Sequence, residues 1–383
     1  MLLDCEVEMR GTLVFGWLRA GVAAMAACVL AEGGSETARG CAMEREGSAK
    51  AALWREAWRC AASVSSPIDA GRTKIALVEK AIQTGDAGYV RALVEADGEA
   101  WVKGAGLALL AADAALGQRD ASPCMQGAQA CAAQVNEWRE PFLRAELRKG
   151  EGALVATSKP DVGAGLAMLR EWVDGVPAER TTAAAWVCAE WVARRGARAE
   201  DGASKAMVIA ALDYGARTYP WDRLAVLARL APQMKAHGMT EEAAAMLRQM
   251  FSAGGDGGAA ALSTNQFETA LLAARAWNGL GRQREASPLI VSAEGKMRNR
   301  DTGDALAPGM ALAEAKTAMG IDGEAAKLEW LEGLRHAVDR PGFYRSIAAA
   351  LTVGGIAASP CAWTQEDVAR VGALADGAVA GQR

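Results

Sequence analysis

The sequence predicts an all-α chain folded as an α-solenoid of antiparallel helix pairs. Three observations predict it. Alanine supplies much of the 51% hydrophobic share, and Ile occurs only eight times in 383 residues. Alanine is the best helix former, whereas β-branched residues favour strands. Gly238, Gly281 and Gly320 are each followed five residues later by an alanine, Ala243, Ala286 and Ala325, with a helical stretch on either side. Counted from Gly196, which sits in a similar helix-ending context, the intervals are 42, 43 and 39 residues. A helix–turn–helix unit recurring at such a spacing is the mark of a solenoid, and the length suits eight or more stacked pairs.

The elements follow in order. Residues 48–62 make an amphipathic helix with Leu53, Trp54, Ala57 and Trp58 on one face, closed by Ser65-Ser66-Pro67. Residues 73–83 and 87–96 pair across Gly85, and 99–116 form a strongly apolar helix ending at Gly117. After Ser122-Pro123 a helix runs to about Trp138, and Glu140-Pro141 starts the next, with Pro in the first turn where its missing N–H does no harm. Pro160 precedes a helix to Val173. Thr181-Thr182 offers an N-cap for the helix that carries Trp186, Ala189 and Val192 to Gly196. Pairs are then expected at 202–217 (the return of that helix), 221–237 with 240–252, 265–279 with 283–296, and 304–319 with 323–337. Gly254-Gly255-Asp256-Gly257-Gly258 reads as a loop and not a phosphate cradle, since no strand precedes it. Arg340-Pro341-Gly342 breaks the array, and the last 40 residues are expected to form capping helices around Ser359-Pro360. The organisation is thus a leader over 1–31, an N-terminal helix in 32–66, the solenoid over 67–340 and the C-terminal cap over 341–383.

The leader is read from residues 20–31, AGVAAMAACVLA, an apolar run too short to span a bilayer. Arg10 and Arg19 precede it, a small residue ends it, and Glu32-Gly33-Gly34-Ser35 follows: the order of a secretory signal. Asp4, Glu6 and Glu8 run against that pattern, which makes Met9 an alternative start. Met25-Ala26-Ala27-Cys28 resembles the lipobox of bacterial lipoproteins, which implies a membrane tether through Cys28. Export, to the periplasm or as an anchored lipoprotein, stands beside the alternative of an ordinary alanine-rich helix in a cytoplasmic protein.

Charge excludes one class of partner. Net charge is −4, from 42 Lys and Arg against 46 Asp and Glu, and no basic block is long enough to track a phosphate backbone, so nucleic acid is not expected. None of Cys41, Cys60, Cys124, Cys131, Cys188 or Cys361 forms a Cys-x-x-Cys pair. On one continuous helix Cys124 and Cys131 stand about 10 Å apart, too far for a disulfide, whereas a break at Pro123 or Gly127 leaves that pairing open. The histidines, His237 and His336, sit near helix C-termini, where the dipole favours a cation. No metal or other cofactor is expected.

The units around Gly238 and Gly281 resemble the tetratricopeptide repeat. Leu227, Leu230, Ala231 and Met234 precede Gly238, with Ala243 and Leu247 after it. Ala270, Ala273, Ala274 and Trp277 precede Gly281, with Ala286, Ile290 and Ala293 after it. Around Gly320 the matches are Leu312, Ala313 and Ala325. The resemblance covers about 220–335. The family's period is shorter, and its usual closing proline is missing here; HEAT-like repeats remain an alternative at this length. The resemblance implies a right-handed superhelix, and a concave groove lined by the first helix of each pair. Its polar residues here are Arg229, Lys235, Arg275 and Asn278, with Trp186, Glu190 and Arg194 one unit earlier. Such a groove suits a protein or peptide partner, with cations holding carboxylates and Asn holding backbone amides. The function expected is therefore a non-catalytic binding scaffold. The alternative is an all-α, toroid-like polysaccharide hydrolase or lyase, suggested by 12 Trp among 21 aromatics and by numerous carboxylates such as Glu99, Glu190, Asp304, Glu366 and Asp367.

Overall fold

The structure, a computed structural model, describes residues 36–195, 202–217, 220–252, 262–303, 305–342 and 344–380. The expected leader with Met9, Arg10 and Cys28 lies outside them, as do Gly196, Asp304 and the glycine-rich segment 254–258. The described residues are all-α: 17 helices, 80% helical, with no strand among them. None of these helices is long and apolar enough to cross a membrane.

The helices are α1 (Glu36–Ala62), α2 (Pro67–Gln83), α3 (Ala87–Glu95), α4 (Ala100–Leu116), α5 (Ser122–Ala132), α6 (Glu140–Thr157), α7 (Val162–Gly175), α8 (Pro177–Arg195) and α9 (Gly202–Ala216). They continue as α10 (Pro220–Ala236), α11 (Thr240–Phe251), α12 (Phe267–Gly279), α13 (Gln283–Arg298), α14 (Pro308–Ala318), α15 (Gly323–Val338), α16 (Tyr344–Ala358) and α17 (Gln365–Ala380). Local chemistry sets several starts. Ser66 accepts the Asp69 amide to cap α2, and Asp161 accepts that of Ala164 at 2.8 Å to cap α7. The repeat glycines are needed for their backbone: Gly238, Gly281 and Gly320 take φ of +72°, +75° and +99°, where a side chain is strained.

Three expectations are corrected. The helix after Ser122 stops at Ala132, short of Trp138. The chain then turns through Asn136, whose carbonyl accepts the Arg139 amide, and Trp138 stands 85% exposed. α8 begins at Pro177, so Thr181 is not its cap; its hydroxyl instead bonds back to the Pro177 carbonyl at 2.6 Å. Ala325 is exposed, and Ala326 is the buried alanine of its unit. α15 starts three residues after Gly320, whereas α11 and α13 start two after Gly238 and Gly281, so the fourth helical residue falls one position later.

The helices fall into two compact units. In the unit spanning 97–303, the helices α4, α6, α8, α10 and α12 pack one against the next in a row, and α5, α7, α9, α11 and α13 each lie against the row helix before them. The row packs closely. A side chain on Gly150 of α6 would put a Cβ 2.9 Å from the Ala108 carbonyl oxygen of α4, so only glycine permits that approach. The other unit combines α1, α2 and α3 with α14 to α17. Its centre is α16, buried from Ser346 to Ala358, against which α1, α2, α14, α15 and α17 pack. Trp54 and Trp330 are fully buried in this unit, as Trp101 is in the other, so these rings serve packing.

Candidate functional site

One stripe of α8, within the 97–303 unit, gathers much of the charge chemistry of its neighbours. Glu179, Trp186, Glu190 and Arg194 recur at helical spacing on it, and each meets a different group on an adjacent helix. Arg148 Nη2 of α6 donates to Glu179 at 3.0 Å, and Arg144 Nη1 lies 3.9 Å from the same carboxylate. Lys149 Nζ of α6 stands 5.3 Å above the Trp186 ring. Arg229 of α10 holds Glu190 with a fork, Nε to Oε1 at 3.2 Å and Nη2 to Oε2 at 3.0 Å. Arg194 donates to buried Asp113 of α4 at 2.6 Å, and Arg119 pairs with the same carboxylate.

The sequence-predicted residues separate accordingly. Arg229 is only 8% exposed, and its charge is neutralised by Glu190, itself 2% exposed. It therefore locks α10 to α8 and offers no open cation on a groove. Lys235 is exposed and lies over the turn that ends α12: a Cβ built on Gly281 would come 2.7 Å from its Nζ. That places the ammonium near the carbonyl end of a helix, where the dipole favours it. Arg275 and Asn278, on α12, are half-buried. Since α10 and α12 pack together, Lys235, Arg275 and Asn278 belong to neighbouring helices, whereas Arg229 turns to the preceding one.

Sequence reasoning did not find a hollow that the structure forms on α6 and α8. Between α6 and α8 lies a hollow of ≈ 260 Å³, walled by Pro141, Ala145 and Ala183 and furnished with Arg144, Arg148, Lys149, Glu179 and Thr182. α6 brings its cations there because Arg144, Arg148 and Lys149 recur four and five residues apart, on one side of the helix. A hydrogen bond to Glu140 first, then that carboxylate's charge, holds the Arg144 guanidinium above its ordinary pKa, with Glu179 adding less; for Arg148 the first cause is the hydrogen bond to Glu151. Both stay cationic at any physiological pH. Lys149 is 4% exposed and pairs with Glu146, 6% exposed, at 2.7 Å. The hollow can hold an oxyanion or hydrogen-bonding group against two guanidinium forks, an ammonium and a hydroxyl. Among the described residues no cluster of His, Cys, Asp or Glu is arranged to hold a metal ion.

Among the described residues Cys60, Cys124, Cys131 and Cys188 are buried and Cys361 is half-buried. Burial first, then the Glu56 carboxylate, pushes the Cys60 thiol up to about 12, and burial alone does the same for Cys188. His237 is half-buried just beyond α10, and His336 sits in the last turn of α15, 3.7 Å from Glu332. The chain matches no known protein-family model, no curated protein and no solved structure.

Proposed function

We propose that this chain is a non-catalytic helical-repeat scaffold of the α-solenoid type that binds a protein or peptide segment. The observation that carries the reading is the row α4–α6–α8–α10–α12, in which first helices of successive pairs stack and second helices lie against them. Such a row offers an extended face with one set of side chains per repeat, the geometry that suits an extended peptide. Lys235, Arg275 and Asn278 supply cation and amide chemistry on two adjacent helices of the row, and the hollow on α6 and α8 supplies more of the same kind. The tetratricopeptide-like pattern of glycine turns supports the same class. Export, tethered or not through Cys28, belongs to this proposal; mass spectrometry of the native N-terminus tests it, and recovery of an intact Met1 or Met9 terminus would refute it.

The test of the scaffold reading is a library of random twelve-residue peptides panned against the full chain. Enriched peptides should share a motif. Their binding should weaken by about 1.5–3 kcal/mol in Arg275→Ala if that guanidinium holds a peptide carboxylate. Salt should weaken it further. No enrichment over a carrier protein, in a sample that hydrolyses or cleaves a panel of polysaccharides, would replace the scaffold with the toroid-like enzyme.

A further inference from the structure

We propose that the hollow between α6 and α8 is a carboxylate-binding subsite, taking an acidic side chain of an extended peptide, and that Glu179 occupies it from within until that side chain displaces it. The inference rests on the scaffold reading for the source of the carboxylate. The chemistry is read from the protein's own occupant. Glu179 stands on the first turn of α8 and lies against both Arg148 and Arg144, at 3.0 and 3.9 Å. Its side chain is 40% exposed, so it can leave without opening the core. The hollow, at ≈ 260 Å³, is much larger than a carboxylate and leaves room beside Lys149 and Thr182 for the rest of a residue.

The surrounding charge sets the character of the binding. Arg144 and Arg148 also pair with Glu140 and Glu151 on their own helix, at 2.5 and 2.7 Å, and Lys149 pairs with Glu146. Counting these carboxylates, the neighbourhood carries no positive excess. An incoming anion is therefore not drawn from a distance; it is held by short-range forked hydrogen bonds after exchanging for Glu179. Removing Glu179 should then strengthen anion binding, the reverse of what a merely structural glutamate would do.

The experiment is fluorescence anisotropy on the full chain with fluorescein-labelled octapeptides. An alanine–serine host carries two adjacent glutamates, and a matched peptide carries glutamines. The glutamate peptide should bind Glu179→Ala at least tenfold more tightly than the unaltered chain. Adding Arg148→Gln should abolish the gain. Circular dichroism checks the fold, and Glu179→Gln serves as the second variant should the alanine form be unstable. An unchanged affinity in both Glu179 variants overturns the proposal, as does an equal gain for the glutamine peptide. Free glutarate is the competitor that separates sources. If it displaces the peptide at concentrations as low as the peptide itself requires, the ligand is a small acid; the scaffold reading then falls while the carboxylate chemistry survives. If glutamine and glutamate peptides bind alike whatever residue stands at 179, the hollow is excluded and the scaffold reading survives.

Discussion

The crossing of α14 and α15 offers the sharpest test of the packing. Gly309 and Gly333 meet there backbone to backbone. A Cβ added to Gly309 would lie 2.5 Å from the Gly333 Cα and 2.8 Å from its carbonyl carbon. Carbon atoms prefer about 3.5–4.0 Å, so the two helices would have to separate by about 1 Å. The obstacle is backbone within a helix, which has no rotamer to swing aside. Overpacking costs about 1–3 kcal/mol, and a backbone obstacle that cannot swing aside puts this case at the upper end, ~2–3 kcal/mol. Alanine returns up to ~1 kcal/mol in helix propensity. Gly309→Ala should therefore be net destabilising by about 1–2 kcal/mol. Gly372, within α17 of the same unit, has nothing within 4 Å of its would-be Cβ. There only the propensity gain remains, so Gly372→Ala should stabilise by ~0.5–1 kcal/mol. The same chemical change thus carries opposite signs at two helical positions.

The assay is urea unfolding read by hydrogen exchange in peptides from 305–342 and 365–380, which reports this unit rather than the whole chain. Gly333→Ala should behave like Gly309→Ala, because its Cβ would lie 2.8 Å from the Gly309 carbonyl oxygen. The double change should cost less than the sum, since one separation of the helices relieves both contacts. Gly309→Ala proving as stable as the unaltered protein would refute the close crossing, and with it the placement of α14 against α15.

Three further outcomes follow from buried charge and buried thiol. Arg229→Ala should cost about 3–5 kcal/mol by stranding Glu190, whereas Arg229→Met with Glu190→Leu should be near neutral; denaturant titration of the three chains decides. Cys60 and Cys188 should resist a thiol reagent at pH 8 in the folded protein and react in urea. Their folded pKa, about 12, lies above the unfolded value of ~8.5, so their contribution to stability is complete below ~8.5 and is lost as pH rises through the folded value. Asp367 behaves oppositely: burial raises its pKa, but the Thr364 amide and Lys327 outweigh burial and hold it below the ordinary carboxylate value. Its contribution is present above ~4 and is lost as pH falls, so Asp367→Asn should remove part of the acid-side stability loss seen by thermal melts at stepped pH.

Much of the fold was legible because it rests on local chemistry. The glycine turns at 238, 281 and 320 mark places where the backbone must go left-handed, and only glycine does so without strain. Pro141 in the first turn of α6 and the breaks at Arg340-Pro341-Gly342 and Ser359-Pro360 were equally local. One failure was local too, and only one residue deep. An extra residue before α15 moved the core alanine from Ala325 to Ala326, and a periodic template cannot see an insertion that small. The pairing of α16 with α1 was not legible at all, since nothing in either segment names a partner about 300 residues away in sequence.

The misreading of Arg229 has a physical cause that also shows what to look for. An arginine on the polar side of a helix reads as exposed unless its counter-ion is known, and Glu190 lies 39 residues earlier. That separation is close to the repeat. Arg139 reaches Glu99 across 40 residues, Arg282 reaches Glu241 across 41, and Lys327 reaches Asp367 across 40. Opposite charges about 40 residues apart in sequence thus recur as partners across the described helices. The two exposed pairs, Arg139–Glu99 and Arg282–Glu241, add little stability, about 0–1 kcal/mol each. Arg229–Glu190 differs because both partners are buried, and its worth lies in fixing α10 against α8 in one register. The side chains left for a ligand are then those whose counter-ion sits on their own helix or at an exposed edge. Arg144 and Arg148 meet that condition, with Glu140 and Glu151 beside them and Glu179 as the partner that can leave.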